Sequence, residues 1–281
     1  MKNTPLKEHI RQANYLFALH HLGVLDNAPY QLQQWCQYRT MHSDFIKTNH
    51  QSDVLTKMDI SGFDQEKPDG NFFLLFHQGF YFTIPHWLVK HYGYAGSRFI
   101  MTEDSFDQQL AEQCAKAFDH DFKAIIIDEK GYFIREVIKA KRQNYCIFLL
   151  TDLPFGYTDS SVDYYQQPFG RLKYRAGFAK IAKILKQQPH LITSEISEDF
   201  TRVHYEIKPV EQTEDLLSRL GEIYQQHYLT AERLDDLNKM CEFNQTDSKF
   251  NHEFEYQDKS YRYYPATEKL YSITAPLADS R

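Results

Sequence analysis

The sequence predicts an α/β layered fold with a mostly parallel central sheet flanked by helices. Two observations lead to this prediction. Between Phe72 and Leu150, four short apolar runs are separated by segments of helical length, and such alternation is typical of parallel sheets. The runs are mostly apolar, which is typical of strands covered on both faces. With 281 residues the chain is long enough to bury a large core.

Residues 1–70 form a predicted N-terminal helical portion. A second helix restarts at Asn27 to Pro29, and a polar segment bearing Gly and Pro then leads to the first strand. Apolar residues lie along one face of the first helix: Ile10, Tyr15, Leu16, Leu19 and Leu22.

Residues 71–212 form the predicted α/β core. Strands are expected at 72–76, 98–101, 123–127 and 145–150, and helices at 80–92, 106–118 and 132–141. A short strand at 162–166, a helix at 174–186 and a strand pair in "PHLITSEI" and "TRVHYEIKPV" complete the core.

Residues 213–281 form a predicted C-terminal extension. Helices are expected at 214–228 and 232–243, before a polar tail rich in Tyr. The sequence leaves open whether this tail packs as a lid or a hairpin or is partly disordered.

Composition narrows the classes of partner. The formal net charge of −6, with no basic stripe, argues against a nucleic-acid partner. No apolar stretch approaches the roughly 20 residues of a spanning helix, and no signal peptide is visible. We expect a cytoplasmic protein without an integral membrane segment, at most peripheral to a membrane.

Cysteine and aromatic usage carry two further expectations. The four cysteines include no Cys-x-x-Cys pair, which favours a reducing compartment and no metal site. Aromatic residues make up 15 % of the chain, with 20 Tyr and 21 Phe. This surplus either lines a groove for an apolar ligand or fills the core, and the core is favoured.

His77 is the main candidate for chemistry. It ends the apolar run in "NFFLLFHQGFYFTIPHW" and would lie at the carboxyl edge of the sheet, where open α/β folds bind ligands. There it would act as a general base near neutral pH. Gly79 allows close approach of backbone to a ligand, and Gln78 beside it is a second candidate for substrate contact. The alternative is a histidine hydrogen-bonded within the core.

Four segments together resemble the lysophospholipid acyltransferase superfamily, in its lipid A late acyltransferase branch. "LLFHQGFYFTIPHWLVKHYGY" is similar to the first motif, and "FIREVIKAKRQNYCIFLLTD" to a helix, strand and terminal acidic residue. "VDYYQQPFGRLKYRAGFAKIAKIL" resembles the Phe-Gly loop with the helix after it, and "YEIKPV" the closing strand. The resemblance covers roughly residues 10–210 and rests on the order of the segments.

The resemblance implies a glycerolphosphate-acyltransferase-like fold and transfer of an acyl group from an acyl thioester to a hydroxyl or amine. The donor would be acyl-CoA or an acyl carrier protein, in a lipid or secondary-metabolite pathway, with no tightly bound cofactor. His77 would be the general base, with Gly79 and neighbouring N–H groups at the oxyanion. Arg171 and Lys173, with Arg175, match positions that hold phosphates; a solvated helix start is the alternative.

The chain departs from the family motif at one decisive position. The motif places Asp or Glu five residues after the histidine, where this sequence has Phe82. A carboxylate from elsewhere replaces this acid, or His77 acts alone, or the site is inactive and the fold binds an acyl chain, carrier protein or partner enzyme. Asp152 is the first candidate for the replacement, because parallel strands end at the same edge. Glu103, Asp104 and Glu195 are the others.

Overall fold

The apolar runs of the core assemble into a seven-stranded sheet with the order β1-β9-β8-β2-β5-β3-β4. The computed structural model describes residues 5–47, 58–63, 66–101, 112–116, 118–128, 131–152, 162–174, 177–197, 199 and 201–273. The strands of this sheet are β1 (Asp59–Ser61), β2 (Phe72–Leu75), β3 (Ser97–Met101), β4 (Phe122–Ile126), β5 (Cys146–Leu150), β8 (His190–Ile196) and β9 (Arg202–Pro209).

Five of the six strand pairings in this sheet are parallel, and only β8 and β9 are antiparallel. The expected strand pair is this antiparallel pair. The mixed α/β class with a mostly parallel central sheet is therefore confirmed.

Helices precede and connect the strands. They are α1 (Leu6–Leu22), α2 (Ala28–Lys47), α3 (Ile84–Tyr92), α4 (Phe133–Arg142), α5 (Gly177–Leu185), α6 (Thr213–Gln226) and the short α7 (Leu237–Met240). A 3-10 turn, Tyr81–Thr83, precedes α3, and a second one, Leu234–Asp236, precedes α7. Residues 112–116 are helical, within the helix expected at 106–118; residues 102–111 lie outside the described part.

The central strand β2 shows why the sheet is buried on both faces. Alternate side chains of a strand point to opposite faces. Phe72 and Leu74 belong to one apolar cluster, with residues of α1, α4, α5 and α6. Phe73 and Leu75 belong to a second cluster, on the side of α3. All four side chains are fully buried, as expected for a strand between two layers.

Two small antiparallel sheets lie outside the central one. The first has the order β10-β7-β6, from β6 (Asp163–Gln167), β7 (Gly170–Tyr174) and β10 (Cys241–Phe243). The second is β11 (His252–Tyr256), β12 (Lys259–Tyr264) and β13 (Lys269–Ile273). This second sheet is the Tyr-rich tail, and Phe254 and Tyr263 pack it against α1 at Ala13.

Two expected helices are wrong in part. The helix predicted from Tyr174 begins at Gly177, because Tyr174 pairs with Asp163 in the hairpin of β6 and β7. Residues 241–243, predicted as helix, form β10, because Cys241 and Glu242 pair with Leu172 and Arg171.

The three predicted portions of the chain contribute to one core. The larger cluster contains Tyr15 from the first portion, Leu74 from the second and Leu220 from the third. Among the described helices none is long and apolar enough to span a membrane. The cysteines are free; Cys36 is half-buried and the other three are buried.

Candidate active site

His77 and Asp152 form a hydrogen-bonded pair at the carboxyl edge of the sheet. His77 Nδ1 lies 2.7 Å from Asp152 Oδ1, and the backbone N–H of His77 donates to Asp152 Oδ2 at 2.8 Å. The replacement acid favoured by the sequence is thus in contact with the imidazole.

The strand register brings these two residues together. β2 and β5 are parallel neighbours, and their last paired residues are Leu75 and Leu150. His77 and Asp152 each follow at the same offset from this pair, so they leave the sheet side by side. The Thr151 N–H still donates to the Leu75 carbonyl at 3.0 Å, which keeps the two chain segments aligned to this point.

The geometry assigns the proton on the imidazole. A carboxylate oxygen only accepts hydrogen bonds, so Nδ1 carries the hydrogen that faces Asp152. Neutral His77 then has its lone pair on Nε2, which is the form required of a general base.

Both side chains of the pair are buried. The exposed fractions are 1 % for His77 and 2 % for Asp152. The Tyr81 ring packs edge-on to the imidazole, with ring centroids 5.1 Å apart. A substrate therefore has to displace part of the surroundings to reach His77.

Phe82, at the position of the motif acid, belongs to the apolar core. It is 1 % exposed and packs edge-on against Phe80 and Tyr81, at centroid distances of 6.1 and 5.3 Å. A carboxylate here would be surrounded by aromatic rings, whereas Asp152 is already bound to the histidine.

The substrate-contact roles of Gln78 and Gly79 stay predictions, and both residues form hydrogen bonds within the protein. The Gln78 side chain binds the main chain of Ser194, donating from Nε2 to the carbonyl at 2.8 Å and accepting from the N–H at 3.4 Å. The Gly79 N–H donates to the Thr230 carbonyl at 3.0 Å, and the Gln78 N–H donates to Phe76. With the His77 N–H on Asp152, the N–H groups of His77, Gln78 and Gly79 all have acceptors within the protein.

Gly79 also has a structural role that the sequence did not predict. Its φ is +60°, and a Cβ built on it would lie 2.3 Å from Ser194 Oγ. The group that approaches this backbone closely in the structure is a serine of β8.

Glu195 is the other candidate acid within the described part of the chain, and no hydrogen bond or ion pair links it to His77 there. Glu195 lies on β8, is 59 % exposed, and approaches His227 at 3.7 Å between Oε1 and Nε2. Glu103 and Asp104 lie outside the described residues.

Arg171 and Lys173 lie on β7, on a hairpin and not at a helix start. Arg171 is ion-paired with Glu242 and lies 5.2 Å from the centre of the Tyr164 ring. Lys173 Nζ donates to the Lys239 carbonyl at 3.4 Å. Among the described residues, no hydrogen bond or ion pair links either side chain to the histidine pair. Arg175 lies outside the described part.

Sequence reasoning missed the residues that surround the turn from other parts of the chain. The Glu232 N–H donates to the His77 carbonyl at 2.9 Å, and Ala231 forms an antiparallel bridge with Gln78. The Tyr38 hydroxyl, on α2, donates to the Gly79 carbonyl at 3.0 Å. Burial, with Glu232 beside it, raises the pKa of Tyr38 well above its ordinary value, so Tyr38 remains a donor. No sequence pattern marks these long-range contacts.

No protein-family model matches the chain, and no curated protein has a matching sequence. Within the described residues, no group of three or more side chains is arranged to hold a metal ion.

Proposed function

We propose that this protein is an acyltransferase that moves an acyl group from a thioester to a hydroxyl or amine. The observation that carries the proposal is the Asp152 carboxylate on His77 Nδ1, at 2.7 Å. Asp152 supplies the acid that Phe82 removes from the family motif, and it does so from a neighbouring strand.

The proposed reaction uses His77 first as a base and then as an acid. Nε2 takes the proton from the acceptor hydroxyl or amine as its oxygen or nitrogen bonds to the thioester carbonyl carbon. The C–S bond then breaks, and the imidazolium returns its proton to the departing thiolate. Asp152 keeps the ring in position and stabilises the intermediate positive charge, as in the Ser-His-Asp arrangement.

The resemblance to acyltransferases supports the substrate class. The donor is acyl-CoA or an acyl carrier protein, because both present the acyl group as a phosphopantetheine thioester. Arg171 and Lys173 are retained as candidate phosphate contacts at an exposed hairpin. Since Glu242 already pairs with Arg171, Lys173 is the stronger of the two. Many of the chain's Phe and Tyr rings lie in the two apolar clusters that flank the central sheet.

A second function is favoured by one observation, the burial of His77 and Asp152 at 1 % and 2 % exposure. A family member that binds an acyl chain, carrier protein or partner enzyme does not need an open path to its histidine. Binding without turnover distinguishes this function from catalysis.

The test measures release of CoA from acetyl-, octanoyl- and palmitoyl-CoA, and product mass with glycerol 3-phosphate, ethanolamine or glucosamine as acceptor. We expect acylated product from the wild-type protein and a loss of at least about 100-fold in His77→Gln. Calorimetric titration of each acyl-CoA is run in parallel. If the protein binds a donor but no donor–acceptor combination gives acylated product, the binding function is assigned. Equal rates in wild type and His77→Gln would remove His77 from the mechanism.

A further inference from the structure

The Gln78 side chain takes the place of a missing stretch of β2. The parallel pairing of β2 with β8 ends at Leu75 and Ile192, because the chain turns at His77. Ser194, farther along β8, is 2 % exposed, and its main-chain N–H and carbonyl need partners where no strand remains. The Gln78 amide supplies both, accepting from the N–H and donating to the carbonyl.

The main chain of the same turn is held from the opposite side. Ala231 bridges Gln78 in antiparallel fashion. The flanking bonds run from the Gly79 N–H to Thr230, at 3.0 Å, and from the Glu232 N–H to the His77 carbonyl, at 2.9 Å. Gln78 thus lies between β8 and residues 230–232. Ser194 of β8 binds the Gln78 amide and, through Oγ at 3.4 Å, the Gln78 carbonyl, whereas residues 230–232 bind its backbone neighbours.

These contacts fix the histidine itself. The main chain of His77 is held at its N–H by Asp152 and at its carbonyl by Glu232. The position of the ring then depends on Gln78, the next residue in the chain. Gln78 is 3 % exposed, and both the N–H and the carbonyl of its side-chain amide are hydrogen-bonded. Removing that amide leaves two buried main-chain groups of Ser194 unpaired, which favours a shift of the turn.

We infer that Gln78 is a positioning residue, whose amide keeps the His77 imidazole in register with Asp152. Its effect on acyl transfer rests on the proposed function, whereas its effect on the hydrogen bond between His77 and Asp152 does not. A reacting group displaced by about 1 Å loses on the order of 100-fold in rate. We therefore expect Gln78→Met to lower the transfer rate by about 10- to 100-fold at unchanged KM.

Gln167→Met is the matched control. Gln167 is also a buried glutamine, 6 % exposed, and its Nε2 donates to a main-chain carbonyl, that of Leu217, at 2.6 Å. It lies on β6, outside the central sheet. The two substitutions remove a similar hydrogen bond and keep a side chain of similar length, so a general loss of stability affects both.

The direct readout is the NMR signal of the His77 Nδ1–H in protein labelled with 15N-histidine. The chain has 13 histidines, and the signal absent from His77→Gln identifies the right one. We expect Gln78→Met to shift or broaden this signal and Gln167→Met to leave it unchanged. Gln78→Glu, which keeps the acceptor for the Ser194 N–H and loses the donor, replaces Gln78→Met if that variant does not fold.

The outcomes separate the two proposals. An unchanged His77 signal in the folded Gln78 variant overturns the positioning role, as does an equal change in Gln167→Met. If the wild-type protein transfers no acyl group but Gln78→Met alone disturbs the signal, the positioning role holds and the proposed function fails. If both proposals hold, Gln78→Met lowers the transfer rate and also shifts or broadens the His77 signal.

Discussion

The Asp152 carboxylate binds His77 at two points, the ring Nδ1 through Oδ1 and the backbone N–H through Oδ2. One contact sets the tautomer of the imidazole and the other sets the path of the chain at that residue. A single side chain just after β5 therefore does what two separate groups would otherwise do. The arrangement does not require an acid at position 82.

Asp152→Asn tests this pairing most directly. Its amide NH₂, turned toward Nδ1, would force the hydrogen of the imidazole onto Nε2, so the nitrogen facing the acceptor would lose its lone pair. We expect acyl transfer to fall by about 10²- to 10⁴-fold, as expected for a histidine held in the wrong tautomer. The rate is measured by product mass at saturating acyl-CoA.

Asp235→Asn is the control for that substitution, because Asp235 is also buried and pairs with Arg11. We expect it to lower the unfolding midpoint and leave the transfer rate of the folded protein within about 3-fold, as for sites outside the reacting groups. An Asp152→Asn protein with the rate of Asp235→Asn would contradict the role of Asp152.

Introducing at position 82 the acid of the acyltransferase motif that the sequence resembles is expected to harm this protein. Phe82→Asp would place a carboxylate among Phe80, Tyr81 and the rest of the apolar cluster. We expect the free energy of unfolding to fall by at least about 3 kcal/mol, with no gain in acyl transfer. Urea unfolding gives the first quantity and product mass the second.

Phe82→Leu is the companion variant, which keeps an apolar side chain at this position. We expect a smaller loss, about 1–2 kcal/mol. A stable Phe82→Asp protein with faster transfer than wild type would show that Asp152 does not replace the motif acid.

Gly79→Ala is expected to destabilise the protein more than a glycine-to-alanine substitution at another position with positive φ. Alanine at φ +60° costs about 1–2 kcal/mol in itself, and its Cβ would also collide with Ser194 Oγ. Gly23→Ala separates the two effects, since Gly23 has φ +74° and nothing within 4 Å of a built Cβ. Urea unfolding of both variants should give the larger loss for Gly79→Ala, and equal losses would argue against the close approach of Ser194.

His86 is expected to make stability depend on pH in the acid range. Burial, and then repulsion by His120, lowers the pKa of His86 from 6.5 to about 4. Between these values the unfolded chain binds more protons than the folded one, so stability falls as pH drops from about 6.5 towards 4. In His86→Phe, which keeps an aromatic ring beside Phe118, this part of the slope should become shallower. Unfolding midpoints in urea at pH 4.5, 5.5 and 7 provide the measurement, and parallel slopes would exclude His86 as a source.

The alternation of strands and helices was predictable because β2, β3, β4 and β5 each contain a short apolar run. The contact of His77 with Asp152 was expected from the rule that parallel strands end at one edge, although the adjacency of β2 and β5 was not. β10 was predicted as helix because its strand conformation depends on a partner, β7, far away in sequence. The hydrogen bond from the Gly79 N–H to the Thr230 carbonyl was missed for the same reason, because the two residues are far apart in sequence.

The antiparallel bridge between Gln78 and Ala231 has a consequence for dissecting the protein. A fragment ending at residue 212 would contain both members of the histidine–aspartate pair. It would lack residues 230–232, which bind the main chain of the turn after His77. Such a fragment would retain the imidazole and the carboxylate without the main-chain contacts that hold the turn in place. Recombination or domain swapping at that boundary would therefore disrupt the site, and a fragment that keeps all of these contacts has to extend at least through Glu232.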